Sequence, residues 1–159
     1  MALSKGVNSY VTVEEADLYF ADKLDVAAWV EADATLKAQA LITATSMLDL
    51  MSWTGSAVYE DQDLAFPRTG EYFDPKIGSL VVLEETVVPN RIIKANLELA
   101  YHLLNNDGLL DSSGTVKNLE VGSIKLEFIN NPNKLSNSVR SLTRPLLVNA
   151  GSKTWWRAN

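Results

Sequence analysis

Pro89-Asn90-Arg91-Ile92-Ile93-Lys94-Ala95-Asn96-Leu97-Glu98-Leu99-Ala100-Tyr101-His102-Leu103-Leu104-Asn105 is the stretch whose pattern decides the fold class. Ile93, Leu97, Ala100 and Leu104 recur as one apolar row and Ile92, Leu99 and Leu103 as a second, while Arg91, Lys94, Glu98, His102 and Asn105 make a polar face. Two apolar rows at a period near 3.6 residues belong to an amphipathic helix with a buried side. Pro89 marks its start, because a proline at the first helical position loses no hydrogen bond.

Two helices are expected upstream. Thr12-Val13-Glu14-Glu15 reads as a capping box, in which the Thr hydroxyl and the Glu carboxylate satisfy free amides. Val13, Ala16, Phe20 and Leu24 then form a buried stripe, with Glu14, Asp17 and Asp22 outward. After a short link containing Trp29, Asp33 caps a longer helix to about Met51. Its apolar residues Leu36, Ala40, Leu41, Ala44, Met47, Leu48, Leu50 and Met51 wrap most of the way round, which predicts a helix in the middle of a bundle.

Residues 52–88 interrupt the helical pattern with Gly55, Pro67, Gly70, Pro75 and Gly78, yet hold Trp53, Tyr59, Phe66, Tyr72 and Phe73. So long a loop inside a small domain usually serves a function or a partner. Over 116–129 the period drops to two around Gly122-Ser123, a pair fit for a two-residue turn. That turn would set Val121 opposite Ile124, Glu120 opposite Lys125 and Leu119 opposite Leu126. A short helix over 138–149 places Val139, Leu142 and Leu146 on one face and Arg140 and Arg144 one turn apart, with Pro145 kinking or interrupting it. The expected fold is mainly α: a small helical bundle with an added β-hairpin, a long irregular loop and an extended C-terminal arm. Residues 1–150 form one domain and 151–159 a docking tail.

The 159 residues, 47% hydrophobic and 21% charged, suit a single globular core. There is no cysteine, so no disulfide and no thiolate metal site, and the first thirty residues lack the layout of a signal peptide. Synthesis in a reducing cytoplasm is expected. No apolar run approaches the ~20 residues needed to cross a bilayer, so no membrane partner is expected.

The net charge of −6 conceals a split. All 20 acidic residues lie at or before Glu127 with nine of the 14 basic ones, a net of −11. Beyond it stand Lys134, Arg140, Arg144, Lys153 and Arg157 with no acid, a net of +5. Parts of opposite sign suit different partners, because net field governs association more than fold. The tail ends in Trp155-Trp156-Arg157. It either folds back on its own bundle or anchors on a partner, since Trp and Arg dominate interface hot spots. The same residues can stack on single-stranded nucleic acid, against which the acidic body counts.

Catalysis is not expected. One histidine and no cysteine leave few ways to build a nucleophile, base and orienting group, and His102, with Glu98 one turn before it, reads as a surface residue. Glu60-Asp61-Gln62-Asp63 and Glu84-Glu85 lack the alternating oxygen ligands of a calcium loop, and Arg68-Thr69-Gly70 lacks a phosphate loop's flanks. No cofactor is expected.

Several stretches, in order, resemble the head–tail connector or head-completion adaptors of the tailed-bacteriophage neck, some of which are described as DnaT-like single-stranded-DNA-binding proteins. They are Ser9-Tyr10-Val11-Thr12-Val13-Glu14-Glu15-Ala16-Asp17-Leu18-Tyr19-Phe20, Lys37-Ala38-Gln39-Ala40-Leu41-Ile42-Thr43-Ala44-Thr45, Leu64-Ala65-Phe66-Pro67-Arg68, and Val88-Pro89 with its helix. Val121-Gly122-Ser123-Ile124-Lys125-Leu126-Glu127 and Arg144-Pro145-Leu146-Leu147 complete the set. Phe66 stands where the family often has tryptophan. The resemblance implies a ring, commonly of twelve copies, beneath the portal protein in the virion neck. It would present a platform to the next tail, nozzle or stopper component, with genome DNA passing through without sequence-specific binding. On that reading Arg140, Arg144, Lys153, Trp155, Trp156 and Arg157 dock on the portal. Tyr59, Phe66, Arg68, Tyr72 and Phe73 meet neighbouring copies or the tail.

Overall fold

The structure is a computed structural model that describes residues 2–105 and 135–148, and the backbone of 119–121 and 124–126. Helices α1 (Val13–Ala21), α2 (Ala27–Glu31), α3 (Ala34–Asp49), α4 (Asn90–Leu104) and α5 (Asn137–Thr143) dominate it. Three two-stranded antiparallel ladders are added: β1 (Ser56–Ala57) with β2 (Arg68–Thr69), β3 (Glu71–Asp74) with β4 (Ser79–Val82), and β5 (Leu119–Val121) with β6 (Ile124–Leu126). The fold is mainly α, as the periodicity predicts.

Local chemistry sets the helix starts. Thr12 Oγ1 accepts the Glu15 amide at 3.2 Å while Glu15 Oε2 accepts the Thr12 amide at 2.9 Å, completing the capping box. Asp33 Oδ1 accepts the Leu36 amide at 2.8 Å and caps α3. Pro89 is the residue before α4 rather than its first, its ψ of 138° being extended.

The core lies between α3 and α4. Leu41, Ala44 and Leu48 meet Ile92, Ala95 and Leu99, all fully buried, and the alanines let the helices approach closely. Helix α4 also packs on α2 and α5, so it is the central helix. The expectation for α3 fails for a physical reason: Leu36 and Leu50 are exposed, leaving one buried face rather than a wrap. Leu24 is likewise 96% exposed, because α1 ends at Ala21 with Asp22 as its cap and the stripe goes no further. Trp29 sits on α2 rather than in a link. It is buried beside Phe20, and its Nε1 donates to Asp17 Oδ1 at 2.8 Å.

In β5–β6 the register is Leu119↔Leu126, Glu120↔Lys125 and Val121↔Ile124, the pairing expected; the turn itself, the flanks 116–118 and 127–129, and the tail 151–159 lie outside the described residues. Helix α5 stops at Thr143, and Arg144–Leu146 tightens into a 3₁₀ turn containing Pro145, so the expected 138–149 helix is interrupted where the proline predicts.

The 52–88 segment carries two ladders where an irregular loop is expected. Its strands cross at glycines: a Cβ on Gly55 would lie 1.9 Å from the Thr69 carbonyl oxygen, and the residue has φ +73°. Backbone strain plus that clash predict that Gly55→Ala costs about 2 kcal/mol or more. Thermal denaturation followed by circular dichroism should show a melting temperature lower by roughly 4–8 °C.

Candidate functional site

Three polar side chains, Arg68, Gln62 and Asp74, turn the 52–88 segment into a wall. The Arg68 guanidinium donates to the carbonyls of Thr54 (2.9 Å), Ala65 (3.2 Å), Trp53 (3.4 Å) and Gly55 (2.7 Å). One planar cation thus satisfies several loop acceptors. Gln62 Nε2 donates to the Leu64 and Pro67 carbonyls. Asp74 closes the β3–β4 hairpin by accepting the Lys76 amide at 2.8 Å, and it ties the hairpin to α4 through Arg91, whose Nε lies 3.2 Å from Asp74 Oδ2 and whose Nη2 pairs with Oδ1. Tyr72 donates its hydroxyl to the same carboxylate at 3.2 Å. The Arg91 hydrogen bonds and the Lys76 amide hold the Asp74 carboxyl down to about 2.

The second wall comes from the C-terminal side. After the 3₁₀ turn, Leu147 bridges Trp53 in antiparallel fashion, the Thr54 amide donates to Leu146 O at 2.8 Å, and the Val148 amide donates to Ser52 O at 3.0 Å. Between the walls lies a groove of about 710 Å³, lined by Tyr72, Phe73 and Leu80 on one side and Arg144, Leu147 and Val148 on the other. Pairing alternates across the hairpin, so Phe73 faces Leu80 and Glu71 faces Val82 on its outer surface. Phe73, Leu80 and Val82 are 56%, 62% and 71% exposed, an apolar patch of the kind that marks a contact surface.

Of the residues singled out from sequence, the groove brings together Tyr72, Phe73 and Arg144. It does not take the others. Phe66 is buried, edge-on to Trp53 at 5.2 Å and to Tyr10 at 6.3 Å, so it supports the wall from inside. Arg68 is committed to backbone carbonyls, Tyr59 lies out on the turn closed by Gln62, and Arg140 is exposed on α5 away from the lining. Lys153, Trp155, Trp156 and Arg157 lie outside the described residues. Leu80, Leu147 and Val148 were missed. The alternation of Tyr72-Phe73 against Leu80-Val81 across Pro75–Gly78 carries the hairpin signal, whereas nothing local joins 146–148 to 52–54.

Other ionic groups brace the frame. Glu98 accepts the Tyr19 hydroxyl at 2.6 Å and pairs with Lys23; burial pushes its carboxyl up, but the Lys23 and Tyr19 hydrogen bonds outweigh this and hold it low. Asp49, raised by burial, accepts the Tyr10 hydroxyl and the Ala65 amide. His102 Nε2 is 3.5 Å from Ser138 Oγ. Among the described residues no group of three or more His, Asp or Glu side chains is placed to hold a metal ion, and no helix is long and apolar enough to cross a membrane.

A family model with the description "Putative DnaT-like ssDNA binding protein" matches residues 2–158. No curated protein and no solved structure matches the chain.

The Asp74–Arg91 pair generates a pH prediction. A carboxyl held near 2 when folded and at ~3.9 when unfolded contributes stability that is complete above ~4 and lost as pH falls through about 2. The difference in melting temperature between the natural chain and Arg91→Gln should therefore be largest at pH 5 and shrink towards pH 2. A constant difference measured by circular dichroism would contradict the assignment.

Proposed function

The chain belongs to the family described as "Putative DnaT-like ssDNA binding protein", whose model spans it, and from that premise we propose that it is a non-catalytic connector of a tailed-phage neck. In this reading copies assemble as a ring under the portal. The basic, tryptophan-bearing arm docks on the portal, and the 52–88 face meets a neighbouring copy or the next tail component. Genome DNA passes through the ring without being read. Head-to-tail contacts closed by rotation generate such a ring.

The observation that carries the proposal is the groove, a surface of mixed apolar and polar lining that ends at Val148, where the chain heads into its basic, tryptophan-bearing end. The buried Asp74 is paired with Arg91 and the half-buried Glu98 with Lys23, which leaves both poorly suited to acid–base work.

The second reading, single-stranded-DNA binding, is favoured by the family description itself. The body argues against it. Sequence-tolerant binding needs exposed aromatic rings in a basic groove. Here Trp29, Trp53, Phe20 and Phe66 are buried, Tyr59 and Phe73 are the exposed aromatics among the described residues, and residues 1–127 carry −11.

Two measurements separate the readings. Titration with labelled single-stranded DNA at low and moderate salt should show only weak binding; tight binding that falls steeply with salt would favour the second reading. Deleting residues 152–159 should leave a folded protein that no longer joins the portal in a pull-down, and undiminished association would overturn the arm's role.

A further inference from the structure

We infer that the groove between the β3–β4 hairpin and the 3₁₀ turn is the intramolecular seat of the chain's own C-terminal segment, with the Trp155-Trp156 pair against its apolar walls and the basic residues beside them facing Glu71. The inference goes beyond the connector reading and does not require it.

The first ground is where the chain leaves the groove. Leu147 and Val148 are themselves lining residues, held in place by the backbone bonds to 52–54. The chain therefore enters its last eleven residues from the groove wall, not from a distant end of the molecule. Asn149-Ala150-Gly151-Ser152 comes next, and Asn, Gly and Ser are the residues that turn a chain back on itself. Trp155 is seven residues beyond Val148. At ~3.3–3.6 Å per residue it can travel at most about 25 Å, so a reversal over 149–152 returns it to the groove. A tether this short holds the segment at an effective concentration in the millimolar range, which favours the chain's own arm over that of another copy.

The second ground is chemical fit. Phe73 and Leu80 form a directly opposed pair that faces outward, and Val148 continues the apolar surface on the other wall. Indole rings bring a large apolar area to cover such a surface. Glu71 lines the groove and makes no salt bridge among the described residues, whereas the arm carries Lys153 and Arg157 and no acid. Arg144, the cation already in the lining, is of a type that packs on the face of an indole ring.

The natural chain has no cysteine, which makes a crosslinking test clean. Ser141→Cys, at an exposed position in the groove's lining that the proposed contacts do not use, is combined with Thr154→Cys in the full-length protein, and disulfide formation is timed with diamide. A disulfide forms readily only when the two Cα atoms come within about 7 Å. The expected product is a closed monomer whose rate of formation is independent of protein concentration. That rate should fall at least tenfold when Trp155→Ala and Trp156→Ala are added. Disulfides between chains, rising with concentration, would show that a second copy's arm fills the groove and overturn the inference. A monomer crosslink indifferent to the tryptophans would overturn it as well.

A second measurement needs no cysteine. Trp29 and Trp53 are buried, so acrylamide quenching of the natural chain reports on the remaining two tryptophans. Quenching should be weak and should rise at least twofold in Phe73→Ser/Leu80→Ser, whereas strong quenching in the natural chain would contradict a seated arm. Both readouts use the isolated protein, so their failure is distinct from a failure to join a portal.

Discussion

Helix α4 sends polar side chains to the elements packed around it, and the arrangement of the molecule depends on them. Arg91 holds the β3–β4 hairpin through Asp74, Glu98 holds α1 and the turn after it through Tyr19 and Lys23, and Asn96 reaches α3. Asn96 is wholly buried, and its Nδ2 donates to Thr45 Oγ1 at 2.8 Å and to Leu41 O at 3.3 Å. Apolar packing between α3 and α4 supplies a non-directional drive to associate. The polar contacts are directional and are made at one rotation and one height of α4, so they select a single arrangement from the many that would bury similar area, even though Asn96 Oδ1 is buried with no hydrogen-bond partner among the described residues.

The groove follows from the same constraint. A segment as long as 52–88, punctuated by glycine and proline, loses much conformational entropy on ordering, and of its apolar side chains only Trp53, Leu64, Phe66 and Leu83 are buried to offset the loss. Its order comes from a few multivalent polar groups: Arg68 collects four carbonyls, Gln62 two, and Asp74 an amide, a hydroxyl and a guanidinium. Phe66 and Trp53 pack beneath, and the Trp53 indole donates to Leu48 O at 2.9 Å, fixing the wall to the end of α3. With inward groups so occupied, Phe73 and Leu80 are left on the outer face, available to a ligand.

Charge and shape are thereby divided between two parts of the molecule. The body holds the acidic residues and most of the aromatic mass, the latter inside. The end of the chain holds basic residues and two tryptophans with no core of their own in sequence. The groove of mixed lining lies at the point where the chain leaves Val148 for that end.

The sequence alone determined α1, α3 and α4, because a capping box at Thr12, a cap at Asp33 and the apolar rows of 89–105 are local patterns that backbone geometry converts directly into structure, whereas the short, uncapped α2 read as a link. It determined the β5–β6 register too, through the period-two pattern of matched residues on either side of Gly122-Ser123, and the place where Pro145 ends α5. Tertiary structure decided which helix lies at the centre, because an apolar pattern such as Leu36 and Leu50 records what can be buried and not what meets it. It decided that Phe66 and Arg68 brace a wall from within, while Phe73 faces out. And it decided the groove, since Asp74 with Arg91 and Leu147 with Trp53 meet only after the chain has folded, and contacts between segments far apart in sequence leave no periodic mark along it.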